Sequence, residues 1–569
     1  ATKNLQDQLF FNDIPKIREA LKISVKVNIL KGRGNYICKL RMENTIQEGM
    51  FFNKEDAQHL HLIKAFSDNT DSGEVSEISE IPETSTIWPM VTSTKENCLG
   101  QDCEFYKECF LVKARKEALE SEVLIVNHHL FFADFVLKDE ELSEILPKAN
   151  TIIFDEAHQI PLVASFFLGQ FISSSQISNL IQDCQQGLKK YPDTIKVLDA
   201  LSKDFQEIVF ELKKIVSPFP ARLNINNLKN YENFEKTYNS LIEKLELLGI
   251  TLSKHSEENA ELQKLFERSS ELNIKFSSWL KKDNQNNIYW LEVFARTVQF
   301  NETPISISEQ FNKFQEKSDS AWIFTSATLS INGSFDHFVK LLGLEKAMTQ
   351  YLQSPFNYSE NAFLYVPKEI PDSKDELFNL VLVKKALPLL KASKGRAFVL
   401  ATSLKSMEEI GALLKDELKK NEINYPVITQ GEGPKSDLLQ QFKKHGNAIL
   451  IGSLSFWEGI DVRGPTLSLV IIDKLPFQSP GDPVFESKIK LLSEEGINAF
   501  MSMQLPEAII RLKQGVGRLI RDDNDKGVMV ICDKRIIEKS YGIKIWKSLP
   551  PFKRTRNESA VINFLEELE

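Results

Sequence analysis

Thr151-Ile152-Ile153-Phe154-Asp155-Glu156-Ala157-His158 is the stretch on which the fold turns. A short β-branched and aromatic run closed by charge reads as a buried strand of a parallel sheet. In open sheets of such strands the chemistry gathers at the carboxyl ends, and this end carries two adjacent carboxylates and a histidine. Nucleotide hydrolysis needs that pairing. Asp155 is placed to hold a magnesium ion through its water shell, Glu156 to orient and deprotonate an attacking water, and His158 to link the nucleotide to neighbouring elements. An Asp-Glu pair at a strand end also occurs by chance, so other parts of the chain must support the reading.

Similar apolar runs recur at residues 123–126, 322–324, 397–400, 448–451, 469–472 and 528–531, and all read as buried parallel strands. Helical patterns at 406–419 and 506–513 separate some of them, which is the alternation of a doubly wound α/β fold. Residues from about 165 to 305 differ. Leu198, Leu201, Phe205, Ile208 and Leu212 recur at helical spacing, as do Phe234, Tyr238, Leu241, Leu245 and Leu248, then Leu262, Leu265, Leu272, Phe276 and Trp279. This predicts a helical insertion between two strands of one sheet. A second insertion runs from about Cys38 to Cys109, and its acidic part, residues 68–83, reads as a solvated connecting segment.

With 569 residues, 42% hydrophobic and 26% charged, the chain has a globular composition, and at about 100 to 200 residues per domain three to four domains are expected. A net charge of -9 gives no overall attraction to nucleic acid, so a DNA-binding surface must come from local basic grooves. No long apolar run or secretion signal is present, so no membrane partner is expected and the expected location is the cytoplasm, in association with the nucleoid.

Gln514-Gly515-Val516-Gly517-Arg518-Leu519-Ile520-Arg521 supplies the second chemical signal. Two arginines three apart are predicted to share a helix face and reach one anion. A planar guanidinium suits the charge that develops on a transferred phosphoryl group, so Arg518 and Arg521 are candidate arginine fingers.

The motif order Asp155 to His158, then Thr325-Ser326-Ala327-Thr328-Leu329, then residues 452–461, then 514–521 resembles the helicase motifs of the DinG/XPD family, the iron-sulfur DNA helicases of superfamily 2. The opening residues, Thr2 to Leu9, resemble that family's motif Ia, and the short opening is nearer the YoaA type than the longer DinG. The resemblance implies two RecA-like motor domains, one from residues 1–37, 111–164 and 306–335 and the other from 336–569. It places an iron-sulfur domain at 38–110 and a helical arch at 165–305. It implies that Ser326 and Thr328 couple nucleotide state to the DNA groove, that Gly459, Asp461 and Gln514 face the nucleotide, and that Thr402 and Ser403 hydrogen-bond the DNA backbone. Trp457 offers either a planar contact to DNA or ordinary core packing.

Cys38, Cys98, Cys103 and Cys109 cluster in the first fifth of the chain. Four thiolates bind zinc or a 4Fe-4S cluster alike, and spacing alone does not separate the two. Cys38 follows Lys31-Gly32-Arg33-Gly34-Asn35-Tyr36-Ile37, a phrase similar to the one before the family's first cluster ligand, and the resemblance implies the 4Fe-4S cluster.

The implied activity is an ATP- and Mg2+-dependent helicase that moves 5′ to 3′ on single-stranded DNA and opens forked, duplex or R-loop-like DNA in repair or replication, alongside replication or repair proteins. No Gly-x-x-x-x-Gly-Lys-Ser/Thr occurs among these residues. The first motor domain is therefore expected to be incomplete at its start, and the chain alone is expected not to hydrolyse ATP. Two other readings stay open: a non-catalytic DNA-binding member of the family, and a DEAH-type RNA helicase with a zinc site.

Overall fold

The computed structural model describes residues 3–49, 54–83, 85–139, 145–258, 260–453, 456, 462 and 464–568. They divide into two compact units. The first comprises residues 1–154, 159–323 and 480–488, and the second comprises 155–158, 324–479 and 489–569.

In the first unit, β1 (Val27–Leu30) pairs in parallel with β2 (Val123–Val126), Val27 opposite Val123. A second pair joins β3 (Thr151–Phe154) to β8 (Ala321–Phe324). These strands form as expected but are not fully buried. Val123 is 40%, Ile153 65% and Ile323 48% exposed. Each lies in a two-stranded sheet, and the described residues do not cover both of its faces.

The middle of this unit departs from an all-helical insertion. Its helices are there: Ser174–Gly187, Pro192–Val216, Tyr231–Ser253 and Ala260–Lys281. They pack against an antiparallel sheet of order β4-β7-β6-β5, formed by β4 (Gln170–Ser173), β5 (Arg222–Asn224), β6 (Asn287–Val293) and β7 (Val298–Pro304). β4 and β5 are too short to show a pattern, and β6 and β7 carry polar residues within their runs and follow long helical periods. Phe234, Tyr238, Phe276, Trp279 and Phe300 are buried together where sheet and helices meet, each worth about 1.5–3 kcal/mol of transfer free energy. Gln176 and Ser173 form a capping box that starts the first helix.

The acidic segment 68–83 is likewise not a solvated connector. Ile78 and Ile81 are buried with Tyr36, Leu60, Ile63, Trp88 and Phe110 in a core of their own. Glu74 pairs with the buried Lys31 at 2.7 Å, and Lys31 also holds Asp7 at 2.9 Å. Gly73 has φ of +63°, and a Cβ there would run into the Phe110 ring, so glycine is required on both counts. Apart from Glu74, the charges that suggested a solvated segment are exposed.

The second unit follows the doubly wound pattern. Its strands are β9 (Ala362–Tyr365), β10 (Ala397–Ala401), β11 (Val427–Thr429), β12 (Ile449–Ser453), β13 (Leu469–Ile472), β14 (Gly527–Ile531) and β15 (Lys553–Thr555). They form a seven-stranded parallel sheet of order β11-β12-β10-β13-β14-β9-β15. Successive side chains alternate faces. Phe398, Leu400, Val470 and Ile472 join one core with Ile509 and Leu512, while Val399, Ala401, Leu469 and Ile471 join another with Leu389, Ile410 and Leu414. Burial on both faces is why these strands read as unbroken apolar runs.

Candidate functional site

The second unit contains Asp155–His158 together with residues 324–479 and 489–569, and there Glu156 and His158 meet Ser326 and Gln514. Glu156 adopts φ of +48°, a left-handed conformation uncommon for a non-glycine residue and found where the surroundings enforce it. The Ala157 amide bonds the Thr325 carbonyl at 3.0 Å and fixes the turn.

His158 is the centre of the group. Its Nδ1 lies 2.9 Å from Ser326 Oγ and 3.3 Å from Glu156 Oε2, and the Gln514 side-chain amide bonds its Nε2. With that amide as donor, Nε2 is the acceptor and the ring proton sits on Nδ1, facing the carboxylate. Ser326 Oγ donates to Glu156 Oε2 at 3.1 Å and lies 3.2 Å from Thr328 Oγ1. The His158 bond, with help from Ser326 and the Arg518 charge and against the pull of burial, holds the Glu156 carboxyl below its ordinary value. Asp155 is pushed the other way, chiefly by burial and further by its charged neighbour Glu156.

The arginines are not on one helix face. The helix Leu505–Val516 stops before them, Arg518 lies in the turn that follows, and Arg521 lies in the irregular segment after that turn. Gly517 caps the helix, and Asp525 then captures the amides of Arg521 and Asp522 at 2.8 and 2.9 Å, so the chain folds back instead of coiling on. Arg518 acts on Glu156 through its charge. Arg521 is set by Asp525 four residues further on.

At the carboxyl end of the seven-stranded sheet, Thr402 and Ser403 follow β10. Ser403 caps the helix Leu404–Lys420, accepting the Ser406 amide at 3.2 Å. The Thr402 amide and hydroxyl both donate to Asp473, at 3.0 and 3.2 Å. The sequence reading missed Asp473, although an acidic residue directly after the apolar run 469–472 was a legible signal. Trp457, Gly459 and Asp461 lie outside the described residues.

The four cysteines are free and half-buried, apart from the fully buried Cys184 and Cys532. Cys38 and Cys109 precede the helices Lys39–Glu48 and Phe110–Leu119, whose N-terminal ends favour thiolate. Burial raises the Cys38 thiol, as do the charges of Cys98 and Cys103, and the Arg41 amide and charge oppose this. Cys103 is raised by burial and by Cys98 and Cys109, with the Phe105 amide on its sulfur. The thiols therefore stand within one another's fields, and backbone N–H groups are aimed at two of them. That donor chemistry fits a thiolate-held metal or cluster. Among the described residues no group of three His, Cys, Asp or Glu side chains is closed tightly enough to chelate an ion as it stands.

Residues 386–552 match the family described as Helicase C-terminal domain. The chain is 40% identical over 570 residues to the ATP-dependent DNA helicase YoaA of Escherichia coli, covering 99% of this chain and 88% of that relative. It is 39% identical to YoaA of Haemophilus influenzae with the same coverage, and 28% identical to the ATP-dependent helicase DinG of Mycobacterium tuberculosis, covering 99% of this chain and 86% of the relative. Among solved structures, an XPD helicase aligns with a TM-score of 0.56 at 18% identity over 97% of this chain and 90% of its own. Xpd4 of S. tokodaii aligns at 0.51 and 14% identity over 78% and 84%. The structural likenesses carry the α/β helicase fold alone.

Proposed function

Since this chain belongs to the YoaA/DinG family of helicases, we propose that it is an ATP-dependent DNA helicase that moves 5′ to 3′ on single-stranded DNA and opens forked or R-loop-like duplexes in repair or replication. The observation that carries the reading is a Glu156 carboxylate kept ionised by His158 and Ser326 beside the Arg518 charge.

Glu156 accepts the proton of the attacking water, and its lowered affinity for protons keeps it ready to do so. Asp155 would hold a magnesium ion, which would neutralise charge on the phosphates. Arg518 and Arg521 stabilise the transferred phosphoryl group. The chain Gln514-His158-Glu156 and the Ser326-Thr328 pair report nucleotide state to the neighbouring turns. Gly459, Asp461 and Trp457 complete the nucleotide and DNA contacts.

Residues 38–110 form the cluster domain, in which Cys38, Cys98, Cys103 and Cys109 would hold a 4Fe-4S group that would cross-link the fold. Residues 165–305 form the arch, and residues 1–37, 111–164 and 306–335 with 336–569 form the two motors. No helix among the described residues is long and apolar enough to cross a membrane, and the protein works on the chromosome in the cytoplasm.

The test uses the full natural protein on partial duplexes carrying a 5′ or a 3′ single-stranded tail. ATP-dependent opening of the 5′-tailed substrate alone is expected. Opening only the 3′-tailed substrate, or RNA duplexes in place of DNA, would reject the reading.

A further inference from the structure

Asp473 follows β13 at the carboxyl edge of the seven-stranded sheet and is fully buried. A carboxylate in that position is costly unless every lone pair is engaged. Its Oδ1 accepts the amides of Thr402 at 3.0 Å and Lys474 at 2.7 Å. Its Oδ2 accepts the hydroxyls of Thr402 at 3.2 Å and Ser406 at 3.1 Å. One carboxylate thus binds the turn after β10 to the turn after β13, and the Asp473 amide closes the loop on the Leu400 carbonyl at 3.1 Å.

The consequence lies in donor accounting. A phosphate oxygen accepts and never donates, so a side chain that grips DNA must have a proton to give. Thr402 has two, and Asp473 takes both. Ser403 differs. Its oxygen accepts the Ser406 amide, which leaves the hydroxyl proton uncommitted among the described residues, and the side chain is exposed.

We propose that Asp473 is the positioning residue of the strand-gripping edge, with Thr402 as its internal strut and Ser403 as the phosphate donor. The inference rests on the helicase reading above and divides the roles within it. Asp473 does not touch DNA. It sets the turn from which Ser403 reaches out.

The test is the affinity of the full protein for an oligothymidylate, followed by fluorescence anisotropy at fixed salt, with nucleotide binding as the reference. Ser403→Ala removes a charge-assisted bond and should weaken DNA binding about tenfold. Thr402→Val keeps the shape and the backbone bond to Asp473, so affinity should change no more than about twofold. Asp473→Ala should match Ser403→Ala, and Asp473→Asn should recover most of the loss, because an amide oxygen still accepts both backbone N–H groups. Ser403→Ala also removes the helix cap, so Ser403→Asp is the control: it can still accept the Ser406 amide but has no proton to give, and a purely structural role would leave its affinity unchanged. Unchanged affinity in Ser403→Asp, or equal losses in Ser403→Ala and Thr402→Val, would overturn the donor assignment, and normal affinity in Asp473→Ala, or in Asp473→Ser if the alanine protein fails to fold, would remove Asp473 from the positioning role. An unmodified protein that does not bind single-stranded DNA would instead sink the helicase reading on which this one stands.

Discussion

His158 Nδ1 lies 3.3 Å from Glu156 Oε2, and the opposite ring nitrogen of His158 is bonded by the Gln514 side chain. The imidazole is therefore clamped between Glu156 and a residue 356 positions later in the chain. With the Gln514 amide donating to Nε2, the Nδ1 proton lies between Glu156 Oε2 and the nearer Ser326 Oγ, and the His158 bond holds the Glu156 carboxyl below its ordinary value.

Glu156→Gln keeps the shape of the side chain and removes its ability to take a proton. DNA-stimulated ATP hydrolysis should fall by at least about 100-fold, while single-stranded DNA is still bound. Phosphate release and anisotropy measured on one preparation check this, and near-normal hydrolysis would remove Glu156 from the role of base.

The pH profile probes the clamp. His158 is the largest influence holding Glu156 below its ordinary value, and the base works only when deprotonated. In His158→Ala the carboxyl should rise, so the acid limb of hydrolysis against pH should move to higher pH. A lower rate with an unmoved acid limb would mean that His158 acts on something other than this carboxylate.

The second unit was legible in sequence because both faces of its sheet are buried, which leaves runs such as 397–401 and 469–472 uninterrupted by polar residues. The turn at Asp155 and Glu156 was legible for a related reason: both residues follow directly on an apolar strand. What did not show were features without local periodicity. The antiparallel sheet around β6 pairs residues such as Gln170 and Glu302, far apart in sequence. Arg518 and Arg521 looked helical because their spacing fits a helix, yet Asp525 draws the chain into a turn. The buried ends of segment 68–83 were hidden behind its charge count, where Ile78 and Ile81 are the residues that matter.

Cys103 is surrounded by the charges of Cys98 and Cys109, and Cys38 by those of Cys98 and Cys103. Cys103→Ser should lower iron and labile sulfide in anaerobically purified protein and abolish unwinding, with the parallel sheet of the second unit still folded. Stoichiometric zinc and no iron in the unaltered protein would reject the cluster, and normal unwinding by an iron-free variant would reject its structural role.

Asp473 provides a test by stability. Burial raises it from 3.8 to about 6, against the Lys474 charge and the donors from Thr402, Lys474 and Ser406. The other group facing it, Cys532, is buried and pushed upward by burial and by Asp473 and Asp533, so it remains a neutral thiol. Asp533 is itself held by Arg535 at 2.6 Å. Between pH 3.8 and about 6 the folded chain therefore keeps a proton at Asp473 that the unfolded chain has lost. The stability this group contributes is fully present below the lower value and is lost as pH rises through the upper one. The difference corresponds to about 3 kcal/mol. Asp473→Asn is neutral throughout and lacks this dependence. On acidification from about pH 7 to about pH 4 the unaltered protein should gain on the variant by that order, read as amide exchange protection in β10 and β13. Parallel profiles for the two proteins would show that Asp473 does not change its protonation on folding.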